Sequence, residues 1–173
     1  MPLLSLTSTA LLVASSHLAP SDPPRLHIGD MEEDHLLAGS ELAVYFGYHG
    51  IGEGVDSGEL GFEFRIPPTI LDLQFSLGYM ATTDEAYMAY VGTRYQLKLG
   101  ERVEFCPSAA VGYFEIGEGQ DLGNDLMFRI GGEVTKRYGA VEVGLGVYHY
   151  SNSGTGYINP GLESVLLTVS YGF

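Results

Sequence analysis

Cationic residues are scarce in this chain. Its 173 residues hold 8 Lys and Arg against 22 Asp and Glu, a formal net charge of −14. A surface of that sign cannot neutralise phosphates, so nucleic acid is excluded as a partner. Cysteine is nearly absent too, and the single Cys106 rules out an internal disulfide and a thiolate-built zinc site. No apolar run reaches the roughly eighteen residues that a membrane-spanning helix needs. The patterns G-x-S-x-G, Walker A, H-E-x-x-H and G-x-G-x-x-G are missing, and His17, His27, His35 and His49 have no ligand spacing, so no metal site is expected. What remains is 45% hydrophobic and only 17% charged, with 24 Gly, 12 Tyr and 8 Phe. That is too apolar for a disordered chain and long enough for one domain. Many short alternating segments in such a chain leave one membrane architecture open, the closed β-barrel.

The first residues, with Leu3-Leu4 and then Ala10-Leu11-Leu12-Val13-Ala14 before small residues, have the form of a secretory signal lacking a cationic start. Residues 1–19 are therefore expected to be a signal peptide, and 20–40 a polar lead-in without chemistry of its own. From residue 41 to 173 a period of two takes over, the spacing of one strand face. In Glu59-Leu60-Gly61-Phe62-Glu63-Phe64-Arg65-Ile66 every even position is large and apolar and every odd one is Glu, Gly or Arg. The same alternation marks segments 42–48, 71–79, 87–97, 103–113, 126–136, 141–151 and 163–173, which makes eight strands.

Either face could point inward. In a soluble sandwich or lipocalin-like barrel it is the apolar one, and in an outer-membrane barrel the apolar face meets lipid around a small polar interior. Glu59, Glu63, Arg65, Asp72, Arg94, Glu104, Arg129, Glu133, Arg137 and Glu142 lie on the polar face, both signs mixed with Gly, as ion pairs in a narrow lumen require. Strands of about ten residues, rising ~3.3 Å each and tilted ~40°, match an apolar band ~25 Å tall. Connections also alternate, tight around Pro67-Pro68, Gly100 and Gly139 and longer at 49–58, 81–86, 115–125 and 152–162. Short periplasmic turns and long external loops are the rule for such barrels, so the expected fold is an eight-stranded antiparallel transmembrane β-barrel, with the 152–162 loop outside the cell.

Two segments break the apolar face. On the seventh, Val141, Val143, Leu145 and Val147 are followed on the same parity by His149 and Ser151. On the eighth, Glu163 shares the parity of Val165, Leu167 and Phe173. All three polar residues fall at the external end of one hairpin. If Glu163 stands opposite His149 they form a cluster, with Ser151 as nucleophile, His149 as base and then acid, and Glu163 orienting the imidazole. An acyl-serine intermediate needs oxyanion donors, and Asn152, Asn159 and the amides near Gly154 are the polar groups at hand. The loop acids Asp56, Glu118, Asp121 and Asp125 are read as solvated rather than as a divalent-ion bridge to phosphate.

His149-Tyr150-Ser151-Asn152-Ser153-Gly154, followed by Asn159-Pro160-Gly161-Leu162-Glu163, resembles the signature of the lipid A 3-O-deacylase family of the PagL type. The resemblance implies an eight-stranded outer-membrane barrel with a Ser-His-Glu site on its outer wall and no cofactor. Ser151, His149 and Glu163 fall on the family's triad positions, and Asn152 and Asn159 on its two Asn positions. Lipopolysaccharide in the Gram-negative outer membrane would then be the substrate, losing the ester-linked 3-hydroxyacyl chain at position 3 of lipid A. The closing run Val165, Leu167, Val169, Tyr171, Phe173 resembles the ending of outer-membrane barrels, whose final aromatic is read by the insertion machinery. Two other readings stay open: a non-catalytic structural or adhesive barrel, and an outer-membrane phospholipase.

Overall fold

The computed structural model describes residues 38–51, 57–68, 71 and 73–173. The expected signal segment, nearly all of the lead-in, and Asp56 and Asp72 lie outside the described residues. The strands are β1 (Glu41–His49), β2 (Ser57–Arg65), β3 (Leu73–Thr82), β4 (Tyr87–Tyr95, resumed as Leu97–Lys98), β5 (Val103–Glu115), β6 (Leu126–Tyr138), β7 (Val141–Ser151) and β8 (Leu162–Gly172). Each pairs antiparallel with its chain neighbours, and β1 pairs with β8 from Glu41 opposite Gly172 to His49 opposite Ser164. The cylinder is closed, so no strand edge is left to find another partner.

The alternation read from the sequence sorts the side chains. Leu42, Val44, Phe46, Leu60, Phe62, Leu77, Val91, Leu145, Val147 and Val169 are exposed, while Glu59, Glu63, Arg65, Arg94, Arg129, Glu133 and Glu142 are buried. A water-soluble fold would be arranged the other way round, and the greasy outer wall is that of a transmembrane barrel.

Buried charges are tolerated only when paired. Arg65 donates to Glu63 at 2.8 Å and to Glu133 at 3.3 Å, and Arg94 to Glu133 at 2.7 Å. Arg137 bridges Glu41 at 3.0 Å and Glu142 at 2.8 Å at the turn end. Arg129 lies 3.6 Å from the Tyr148 ring centroid, a cation–π contact in a dry site. The lumen is so narrow that a Cβ on Gly61 would come within 2.3 Å of the Tyr45 ring.

The expected polar interior holds for only part of the lumen. Towards the long loops it is closed by an apolar cluster that includes Met80, Met88, Phe114, Leu122, Met127, Leu162 and Leu166. These inward positions can pack against one another and exclude water without any partner for a charge. Some boundaries also differ from expectation. Leu71 has φ 56° and stands outside β3. β5 and β6 each run two residues past their expected ends, to Glu115 and Tyr138, and the β3–β4 connection shrinks to 83–86. The loops that remain long are 50–56, 116–125 and 152–161.

Candidate active site

His149 and Glu163 are direct partners in the β7–β8 ladder. Imidazole Nδ1 lies 3.0 Å from Glu163 Oε1, and the two side chains are 47% and 46% exposed on the outer wall. A carboxylate only accepts, so in the neutral ring this contact places the proton on Nδ1 and leaves the Nε2 lone pair as a base. Ser151, the last residue of β7, lies two positions beyond His149 and on the same side of the strand. It is 7% exposed and stands opposite Phe128 of β6. Among the described residues no hydrogen bond joins its hydroxyl to the ring. Two residues along a strand span ~6.6 Å, which a histidine side chain bridges by rotamer adjustment.

Gly161 was not expected to matter. Its φ is +73°, and a Cβ there would lie 2.7 Å from His149 Cε1. The bare Cα is a seat for the imidazole, and any side chain would push the ring off Glu163. The only sequence signal was a glycine between Pro160 and the strand that carries the acid.

The 152–161 loop is held by Asn152, which is wholly buried. Its amide donates to Leu122 O at 2.6 Å and Ile158 O at 2.5 Å, and its Oδ1 accepts the Gly154 N–H at 2.8 Å. The side chain is fully engaged, and so is the Gly154 N–H. Asn152 and Gly154, expected as oxyanion donors, are therefore both occupied in building the loop here. Asn159 Oδ1 accepts the Asn152 N–H at 3.1 Å, which leaves its NH2 as a donor. The loop also leans on 116–125, through Tyr157 N–H to Gly123 O at 3.3 Å and Asn124 Nδ2 to Thr155 Oγ1 at 3.0 Å. The Tyr157 hydroxyl donates to Asp121. That bond, followed by the Gly123 N–H, holds the Asp121 carboxyl below the usual aspartate range, and the same bond raises the Tyr157 phenol.

Beside the site the outer wall is hollowed. A trough of about 540 Å³ crosses β3 to β6, lined by residues that include Phe75, Val91, Ala109, Val111, Phe128 and Ile130. Its near edge abuts the polar residues, because Phe128 stands opposite Ser151 and Ile130 opposite His149.

A closed antiparallel barrel with a greasy wall is a transmembrane barrel of the outer-membrane type, and this one carries a histidine–carboxylate pair beside a serine at its long-loop end. The lipid A 3-O-deacylase (PagL) family matches residues 60–172. The chain belongs to that family, whose activity is the deacylation of lipid A. Among solved structures, that of the outer-membrane enzyme PagL is 20% identical, with a TM-score of 0.57, covering 77% of this chain and 99% of its own. A de novo designed transmembrane β-barrel (15% identical, TM-score 0.55, 79% and 97% covered) and Neisserial surface protein A (12%, 0.52, 78% and 96%) share the fold. No curated protein sequence matches the chain.

Proposed function

We infer that this outer-membrane protein hydrolyses the ester at position 3 of lipid A with Ser151 as nucleophile, His149 as general base and acid, and Glu163 as the group that orients the ring. The observation that carries this is the 3.0 Å His149–Glu163 contact on the lipid-facing wall, with Ser151 on the same side of the strand. Ser151 Oγ attacks the acyl carbonyl as His149 Nε2 takes its proton. The carbonyl–sugar oxygen bond then breaks, and the proton passes to the departing sugar hydroxyl. Water, deprotonated by the same nitrogen, attacks the acyl-serine, and cleavage of the Ser151 ester releases a free 3-hydroxy fatty acid. The Asn159 NH2 and backbone amides of the 152–161 loop serve the oxyanion, while Asn152 and Gly154 shape that loop.

The apolar trough beside Phe128 and Ile130 suits the departing acyl chain, since it presents hydrocarbon on a wall already bathed in lipid. A site on the outer wall at the long-loop end meets only lipids of the external leaflet, which in a Gram-negative outer membrane is lipopolysaccharide. The terminal Phe173 fits the role of the aromatic that the barrel insertion machinery reads.

Mass spectrometry of lipid A from cells producing the wild type or Ser151→Ala tests the assignment. Loss of one hydroxyacyl chain is expected with the wild type alone. An unchanged profile with properly inserted wild type would refute it. Release of fatty acid from phospholipid vesicles but not from lipid A would make the protein a phospholipase instead.

A further inference from the structure

We propose that Glu59, inside the lumen, is a positioning residue for the site on the outside of the wall. The inference rests on the esterase reading above and on the two residues interleaved with that site. Tyr150 lies between His149 and Ser151 on β7, and Ser164 follows Glu163 on β8, so both point inward where their neighbours point out. One carboxylate holds both. Tyr150 donates its hydroxyl to Glu59 Oε1 at 2.7 Å, and Ser164 donates to Oε2 at 2.7 Å. His49 Nδ1 reaches the same Oε2 at 3.1 Å and Ser164 Oγ at 2.9 Å, and Arg129 Nε donates to the Tyr150 oxygen at 3.0 Å.

Glu59 belongs to β2, His49 to β1 and Arg129 to β6, so this knot ties five strands together at the height of His149 and Glu163. Every member is buried, and the carboxylate's bonds are charge-assisted in a dry interior, where such bonds are stiff and costly to break. Rotation of β7 against β8 is the motion that would spread His149 from Glu163. It would also pull Tyr150 and Ser164 off their common acceptor. No substrate touches Glu59, and its contribution is to hold the outer geometry.

The test is kcat and KM for lipid A deacylation by the purified full barrel, with heat-modifiable migration as the measure of folding. Glu59→Leu, which removes both acceptors, is expected to lower kcat about ten- to a hundredfold with KM unchanged, the effect of a misplacement on the order of 1 Å. Glu59→Gln keeps an acceptor for Tyr150 and should restore most of the loss. Glu142→Leu, on the same β7 but at the turn end, should leave kcat unaltered. Wild-type kcat in folded Glu59→Leu, or equal losses in Glu59→Leu and Glu142→Leu, would overturn the proposal. Should Glu59→Leu not fold, Tyr150→Phe and Ser164→Ala each remove one arm, and unchanged kcat in both would refute it just as well. A wild type that releases no acyl chain would instead sink the esterase reading.

Discussion

Tyr148 and Tyr150 face a lumen whose charged side chains are paired across strands, while His149, between them on β7, faces outward with a single polar contact, to Glu163. The inner face must satisfy its charges because water is excluded, and it does so with a dense, cross-strand network. On the outer face His149 and Glu163, each about half exposed, are satisfied by one another, and near the membrane surface polar groups cost ~0–1 kcal/mol. On the proposed reading, fold stability is concentrated inside the cylinder and chemistry outside it. A change on one face should leave the other measurably intact unless it acts at the height where Tyr150 and Ser164 link the two.

The sharpest way to separate the faces is to remove the proposed base. His149→Asn should lower deacylation by roughly 10⁴- to 10⁶-fold while the barrel keeps its heat-modifiable migration, and Glu163→Gln should retain more activity than that. Cutting the inner network is the converse. Glu133→Ala takes one carboxylate partner from Arg65, which keeps Glu63, and one from Arg94, which keeps Glu142 at 3.5 Å, and should cost about 1–3 kcal/mol in urea unfolding from micelles, with kcat of the folded fraction preserved. Gly161→Ala lies between these cases. Its methyl group displaces the imidazole, and kcat should fall on the order of a hundredfold without a matching loss of folding.

The smallest effect belongs to the loop tie. The Asp121 carboxyl has its pKa depressed by the Tyr157 hydrogen bond, so the tie is present above the ordinary aspartate pKa and is lost as pH falls through the lower folded value. Asp121→Asn should abolish the acid-triggered part of loop loosening, read as protease cleavage within 152–161 between about pH 5 and pH 2.

The barrel could be read from the chain because a period of two, sustained over eight segments, admits few other folds. The same rule put His149, Ser151 and Glu163 on one parity, and the ladder supplies the pairing of His149 with Glu163 on which their clustering was conditional. Contacts between segments distant in the chain were beyond that rule. The engagement of Asn152 with Leu122 depends on how the 116–125 loop lies across the 152–161 loop, and no periodicity encodes it. Gly161 escaped notice because its role arises from a positive φ and a ring above it. The apolar plug was missed for a simpler reason: Met80, Met88 and Met127 have inward parity, but parity carries no information about height along the lumen.

The most direct measurement is the mass of Ser151-containing peptides after the folded barrel reacts with a lipophilic fluorophosphonate. A single adduct on Ser151 is expected, absent in Ser151→Ala and formed orders of magnitude more slowly in His149→Asn. Barrels that hydrolyse lipid A yet leave Ser151 unlabelled, or label it equally fast without His149, would contradict a hydrolytic unit on the outer wall.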